Sequence, residues 1–225
     1  MELKNPLYKK QGAHVIASLF TVDKGVVKVL LVKRSNHPYN GMWALVGGAV
    51  YNNERLEQAL DREIEEKSGL KEIDLYFANI YSDITRKVED FRMFGISYIG
   101  VIDIHRVELL NKTIKTDDAD WVPIDMIPKL AYDHNVVIKD SLEVLKTKIV
   151  NSSILKALFP SGFTFPEIHR IYETILDKKI DRRNLRRKLL SMGLISDTNK
   201  TAIFEGKKPA KLYIFNDIVE KSINI

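Results

Sequence analysis

The sequence predicts an α+β chain in two parts, residues 1–150 and residues 151–225. Three observations carry that prediction. Up to Val150, β-branched apolar runs of strand length mix with amphipathic helical stretches, without the regular alternation of a doubly wound sheet. Beyond Val150 the texture changes to short helical segments that end in two strands. Charge divides at the same place: residues 1–150 carry 21 Lys plus Arg against 22 Asp plus Glu, whereas residues 151–225 carry 14 against 8. Nearly all of the chain's basic excess therefore sits in its last third, as expected if one part meets a polyanion and the other does not.

In the first part, HVIASLFTV (14–22) and VVKVLLVKR (26–34) read as strands joined by Asp23-Lys24-Gly25, a hairpin signal. The turn formers SNHPYNG then lead to Trp43–Val46 and the pair Gly47-Gly48, expected to let the backbone turn tightly into the next loop. Asn53–Ser68 reads as a helix, with Leu56, Leu60 and Ile64 on one face and Gly69 as its stop. Strands are expected near Ile73–Tyr81 and Met93–Ile102, with a short one around Trp121, and a helix from His134 to about Val150.

In the second part, Ser152–Phe159 reads as helical up to the break Pro160-Ser161-Gly162. A second helix opens at Phe165-Pro166-Glu167, with Thr164 as cap, Glu167 completing a capping box, and Ile168, Ile171, Tyr172 and Ile175 as the apolar face. A third starts at Asp181, which can cap Asn184, and runs to Gly193 with Leu185, Leu189, Leu190 and Met192 as its buried face. TAIFEGKKPAKLYIF then gives two short strands around a basic turn. Three helices and a hairpin are the parts of a winged helix-turn-helix.

Several classes are excluded or disfavoured. With no cysteine there is neither a disulfide nor a thiolate metal site. No run approaches the roughly 20 apolar residues of a membrane span, and MELKNPLYKKQGAHV lacks the apolar run of a secretory signal, so cytoplasmic residence without a membrane partner is expected. The five histidines show no metal-ligand spacing; His134 is expected to start a helix and is assigned no catalytic role.

The chemistry-bearing pattern of the first part is Gly48, five residues, Glu54, seven residues, then Arg62-Glu63-Ile64-Glu65-Glu66-Lys67-Ser68-Gly69-Leu70. On a helix, positions 63, 66 and 67 lie at i, i+3 and i+4 and converge on one face. A Glu-Lys mixture is ordinarily a solvated face, but the spacing here resembles the Nudix box, G-x5-E-x7-R-E-U-x-E-E-x-G-U with U apolar. Three carboxylates on that face would hold Mg²⁺ or Mn²⁺, bridge it to a diphosphate and activate water. In this chain the position of the second Glu of the E-E pair, a principal metal ligand in active relatives, is Lys67. Exchanging a carboxylate for an ammonium there costs on the order of several kcal/mol of cation binding, so no metal and no cofactor are expected. Lys67 can instead contact a pyrophosphate directly. The positions of the altered box, Glu63, Glu66 and Lys67, are assigned no catalytic role, and hydrolysis of ADP-ribose or another nucleoside diphosphate derivative is kept as the rival function.

In the second part, Arg182, Arg183, Arg186, Arg187 and Lys188 place five cations within eight residues of a helix whose other face is apolar. Such a helix suits the major groove, where Arg pairs with guanine or holds phosphates. Asn184 reads either as a base reader or as a local cap, and Lys207, Lys208 and Lys211 would form a basic wing. A protein-binding winged helix with a solvated basic face is the competing reading; helix, wing and charge asymmetry together favour DNA.

The combination resembles the Nudix-related transcriptional regulators of bacteria over nearly the whole length. The matching stretches are VLLVKR at 29–34, GMWALVGG at 41–48, the altered box, AYDH at 131–134, FTFPEIHRIYETILDKKIDRRNLRRKLLSMGLI at 163–195 and KKPAKLYIF at 207–215. The resemblance implies a Nudix fold with a mixed sheet between helices, a winged helix, a homodimer, and repression at operator DNA relieved by an effector in the old substrate cleft. In one branch of the family the effector is ADP-ribose or a related nucleotide; in another it is the sugar arabinose. Candidate effector contacts are Arg34, Trp43, Gly48, Arg62, Glu63, Lys67 and Arg92, with core packing as the alternative for Trp43 and an ion pair for Arg62. Two departures bear on the ligand: relatives have Leu-Pro-Gly-Gly where this chain has Val46 before the glycines, and ITRKVEDFR matches the family's Arg/Asp-rich loop poorly.

Overall fold

A computed structural model describes residues 9–110, 112–203 and 208–217. The chain forms two compact units: one holds the residues up to Leu19, Val29–Gly100 and Val107–Ser141, the other Phe20–Lys28, Val101–Arg106 and the chain from Leu142 on. Among the described residues no helix is long and apolar enough to cross a membrane.

The expected hairpin is present as β1 (Gln11–Asp23) and β2 (Val26–Arg34). Its turn places both Lys24 (φ 49°) and Gly25 (φ 79°) in the left-handed region, the requirement of the two-residue turn that matches strand twist. Two short strands follow, β3 (Trp43–Ala44) on β2 and β4 (Val46–Ala49) on β1. β5 (Tyr76–Tyr81) and β6 (Lys87–Val88) both pair with β7 (Phe91–Val101), and β8 (Thr116–Pro123) pairs with β2. The path through the sheet is β3-β2-β1-β7-β5. Its interior is aliphatic, with Val15, Leu19, Leu30 and Leu31 fully buried.

The helix expected from Asn53 starts later, as α1 (Leu56–Ser68). Residues 51–54 form a turn instead, because the Glu54 carboxylate accepts the Tyr51 N–H at 2.7 Å. Gln58 Oε1 accepts the Arg55 N–H at 2.9 Å, and Gly69 closes the helix in the left-handed region with φ 76°. The role expected of the glycine pair is corrected by the backbone. Gly47 and Gly48 lie within β4, opposite Ile16 and Val15, and neither has a positive φ. Room, not turning, demands glycine: a Cβ on Gly47 would overlap the Val15 carbonyl, and one on Gly48 the Glu63 carboxylate.

The long helix is α2 (His134–Asn151). The segment after it is a short 3-10 helix, Ile154–Leu158, not the α-helix expected over Ser152–Phe159. Ser152 Oγ donates back to the Lys148 carbonyl at 2.9 Å, which ties that residue to the end of α2, and the segment left before Pro160 is too short for a stable α-helix. Then come β9 (Phe163–Thr164), α3 (Phe165–Leu176), α4 (Arg182–Ser191), β10 (Ile195–Ala202) and β11 (Ala210–Phe215), with sheet order β10-β11-β9. The Glu167 carboxylate accepts the Thr164 N–H at 3.2 Å, and Asp181 Oδ1 accepts the Asn184 N–H at 2.7 Å, as the sequence led one to expect. An aromatic core of Phe159, Phe163, Tyr213 and Phe215 holds the small sheet, with the Phe163 and Phe215 rings 4.9 Å apart. Leu190 corrects the expected buried face of α4: it is 41% exposed, while Leu185 and Leu189 are buried.

Candidate ligand cleft and nucleic-acid interface

The altered box forms one connected ion-pair cluster. Arg62 pairs bidentately with Glu54, Nη2 to Oε1 at 2.6 Å and Nε to Oε2 at 2.9 Å. It also donates to Glu63 and to the Ala49 carbonyl, lies 3.4 Å from Glu66, and stacks 4.0 Å over the Tyr51 ring. Glu63 is 3% exposed and sits between cations: Arg62, the Lys67 ammonium at 3.0 Å and the Lys115 ammonium at 3.6 Å. Lys115 also pairs with Glu66, and Lys67 donates to the Gly47 carbonyl. The cluster thus holds three carboxylates, Glu54, Glu63 and Glu66, against three cations, Arg62, Lys67 and Lys115.

Titration follows from that geometry. The Arg62 fork holds Glu54 down to about 2 and is itself pushed up by the hydrogen bonds it donates to Glu54. Burial pulls the Lys67 ammonium below its ordinary value, although Glu63 opposes this. Burial also works against Lys115, but its hydrogen bond to Glu66 and the Glu63 charge raise it overall. A divalent cation does not fit here. The buried carboxylate that would hold it already faces the Lys67 ammonium, and two positive centres in one partly dehydrated site repel each other.

Beside the cluster lies a cleft of about 200 Å³ bordered by His14, Arg34, Gly48, Lys67, Arg86, Tyr132 and His134. Gly48 and Lys67 reach it from β4 and α1; Arg34 comes from the end of β2, where its Nε donates to the Pro38 carbonyl at 2.9 Å. The Arg34 guanidinium lies 5.1 Å above the Tyr132 ring, which meets Tyr39 edge-on at 4.7 Å. Arg86 is fixed by Asp133, Nε to Oδ2 at 2.8 Å and Nη2 to Oδ1 at 3.2 Å. Among the described residues, three cations and no carboxylate border this cleft, with Glu63 and Asp133 pairing Lys67 and Arg86 from outside it; the lining itself favours an anion. Arg86 and Tyr132 also border a second, wider depression, where the aromatic and apolar faces of Tyr39, Ile80, Tyr81 and Val136 are mixed with polar groups that include Asp83 and Asp133.

Of the residues singled out by sequence, Arg34, Gly48 and Lys67 border the cleft, and Glu63, Arg62 and Glu66 form the adjoining cluster. Trp43 sits on β3, its carbonyl accepting the Ala131 N–H at 2.8 Å, and does not border the cleft. Arg92 donates to the Ser82 carbonyl at 2.9 Å and packs 4.9 Å from the Phe94 ring; the cleft-facing arginine of that loop is Arg86. Sequence reading missed Arg86, Lys115, His14, Tyr132 and Asp133. AYDH, which contains Tyr132 and Asp133, and ITRKVEDFR, which contains Arg86, offered the available signals.

In the other unit, Arg182, Arg183, Asn184, Arg186, Arg187 and Lys188 are all exposed along α4. Asn184 Oδ1 is taken by Arg187 Nη2 at 2.8 Å, and its N–H by the Asp181 cap. Arg182, Arg183 and Arg186 line a groove with Lys211, Tyr213 and the Phe165-Pro166 start of α3. Lys211 pairs with Asp197 at 2.6 Å, Lys208 is exposed, and Lys207 lies outside the described residues. Among the described residues no carboxylate is paired with Arg182, Arg183, Arg186 or Lys188. Fixed, unneutralised cations on one exposed helix face are what a phosphate backbone requires.

Comparison with known proteins gives the same division. Residues 11–141 match the NUDIX domain and residues 156–215 the NrtR DNA-binding winged helix domain. The chain is 29% identical to the ADPR responsive transcriptional repressor NtrR of Acinetobacter baylyi, over 88% of this chain and 79% of that protein. It is 37% identical to the ADP-ribose pyrophosphatase of Methanocaldococcus jannaschii over 50% of this chain and 64% of that enzyme. Among solved structures it resembles Shewanella oneidensis NrtR complexed with a 27mer DNA, with a TM-score of 0.74, 28% identity and coverage of 91% and 93% of the two chains. The NUDIX domain of that protein complexed with ADP ribose matches 64% of this chain and 94% of its own, with a TM-score of 0.56 and 29% identity.

Proposed function

We propose that this chain, which belongs to the NUDIX family and carries an NrtR-type DNA-binding winged helix domain, is an ADP-ribose-responsive transcriptional repressor. The observation that carries the reading is the disposition of charge. The hydrolytic box is neutralised by its own cations, while α4 keeps its arginines exposed for a polyanion. Residues 151–225 act as the DNA-binding part, with Arg182, Arg183, Asn184, Arg186, Arg187, Lys188, Lys207, Lys208 and Lys211 as the contacts to operator DNA. Residues 1–150 act as the sensor, in which Arg34, Lys67 and Arg86 attract the diphosphate while Tyr132 and Tyr39 offer faces to its nucleoside. The protein works as a homodimer on a palindromic site in the cytoplasm.

Release from DNA follows by linkage. The effector must bind the DNA-incompetent arrangement more tightly than the competent one, since a ligand with equal affinity for both shifts nothing. Arginine and lysine contacts to phosphate make the DNA affinity fall steeply with salt.

The second reading is an ADP-ribose hydrolase with an accessory basic domain, favoured by the pyrophosphatase relative and by the retained Glu54, Arg62, Glu63 and Glu66. One paired measurement separates the two. The purified protein is titrated onto DNA from its own upstream region with and without ADP-ribose, and the same sample is assayed for turnover with Mg²⁺ or Mn²⁺. The repressor reading expects specific, salt-sensitive binding abolished by ADP-ribose and no turnover; turnover without specific DNA binding overturns it.

A further inference from the structure

His134 is the fourth residue of AYDH, the one polar residue of that stretch to which the repressor reading gives no role, and it occupies the first turn of α2. The ring is 6% exposed and yet borders the cationic cleft. Its Nδ1 accepts the Leu45 backbone N–H at 3.0 Å. A neutral imidazole that accepts at one nitrogen carries its proton on the other, so this contact fixes the tautomer with hydrogen on Nε2. The ring is oriented further by Tyr132, 5.4 Å away in a tilted contact.

We propose that His134 is a ligand-contacting residue, whose Nε2–H is an orientation-locked donor to an oxygen of the anionic ligand in the cleft. The inference rests on the reading of that cleft as the effector site and assigns within it a contact that the cationic residues do not supply. Arg34, Lys67 and Arg86 attract any anion of suitable size. A neutral donor held in one direction by the Leu45 amide reads where an oxygen lies, which discriminates between ligands of equal charge. Burial pulls His134 down to about 3, helped by the Arg86, Arg34 and Lys67 charges against the opposing Asp133. The donor therefore stays uncharged at neutral pH.

Two substitutions separate a ligand contact from a structural one. In His134→Asn the side-chain oxygen replaces Nδ1 and keeps the Leu45 bond, but nothing reaches the position of Nε2. In His134→Gln the amide reaches the Nε2 position and can donate, but the acceptor for Leu45 is lost. Calorimetric titration with two probes, ADP-ribose and inorganic diphosphate, is paired with the thermal midpoint of the ligand-free protein. The expected result is about ten-fold weaker binding in His134→Asn with an unchanged midpoint, and in His134→Gln, which keeps a donor but not its lock, a smaller loss of affinity with a lowered midpoint. Wild-type affinity in His134→Asn overturns the proposal. So does a loss in both variants that only tracks their midpoints. Binding of diphosphate but not ADP-ribose to the wild type, with the Asn variant weakened, overturns the effector reading and supports the role of His134. Binding of neither probe to the wild type overturns both.

Discussion

Helices α1 and α4 are both short, amphipathic and dense in charge, and they dispose of that charge in opposite ways. Along α1, Arg62, Glu63, Glu66 and Lys67 face carboxylates and ammoniums supplied by the helix itself, by Glu54 and by Lys115. Glu63 is buried within that set, so its charge depends on partners that cannot be removed singly. Along α4 the cations are exposed, and among the described residues the side chain that meets one of them is the uncharged Asn184 amide, whose Oδ1 accepts from Arg187. Charge paired inside a protein serves its architecture. Charge left unpaired at a fixed, exposed position is available to a partner.

The contrast can be broken most sharply at Lys67. Lys67→Glu sets a further carboxylate against the buried Glu63 and removes one of its three counter-ions, and the expected loss of unfolding free energy is about 3 kcal/mol in urea denaturation. Adding Lys115→Gln to that variant should make Mn²⁺ raise the thermal midpoint, while Mn²⁺ leaves the wild type unmoved. A Lys67→Glu protein as stable as wild type would show that the cluster is not a charge-balanced unit.

On the other side of the comparison, Arg183→Ala with Arg186→Ala should leave the thermal midpoint unchanged and weaken operator binding about 100-fold. The slope of log affinity against log salt should fall by about two. An unchanged slope would mean that these cations are only solvated.

A third measurement tests the paired region by pH. Burial, aided by Arg86 and Lys67, holds His14 down to about 4, and burial with Arg86 and Arg34 holds His134 to about 3. Between these values and the ordinary 6.5 the unfolded chain binds protons that the folded chain refuses. Stability is therefore full above about pH 6.5 and falls as pH drops, by about 1.4 kcal/mol per histidine at pH 5.5. Urea midpoints of wild type and His14→Gln across that range isolate one of the two contributions. The smallest effect belongs to the cap of α4: Asp181→Ala removes the bond to the Asn184 N–H and should cost about 1 kcal/mol, read from thermal denaturation.

The sequence revealed local features and missed those assembled from distant parts. The hairpin turn at Lys24-Gly25, the cap at Asp181 and the stop at Gly69 each lie within a few residues of what they control, so their side-chain chemistry suffices. Lys67 was conspicuous because the box spacing is a single-helix pattern. Lys115 was not, because it joins Glu66 from 49 positions away. Arg86 was overlooked in favour of Arg92 for a similar reason: only Asp133, 47 positions on, fixes it toward the cleft. The glycine pair was recognised for the wrong cause, since the pressure on Gly48 comes from Glu63 on the helix packed against its strand and not from a turn.

Lys115 has a consequence for how this domain can change over generations. Reinstating a carboxylate at position 67 would restore the family's metal-ligating pattern on paper, but the Lys115 ammonium would still pair with Glu66 and stand near Glu63. Removing Lys115 first would strip the buried Glu63 of one of its three cations while Lys67 still blocked the metal. Either change alone unbalances the cluster, and only the two together clear both ammoniums from it. Two lysines, and not one, therefore separate this cluster from the family's metal-ligating pattern.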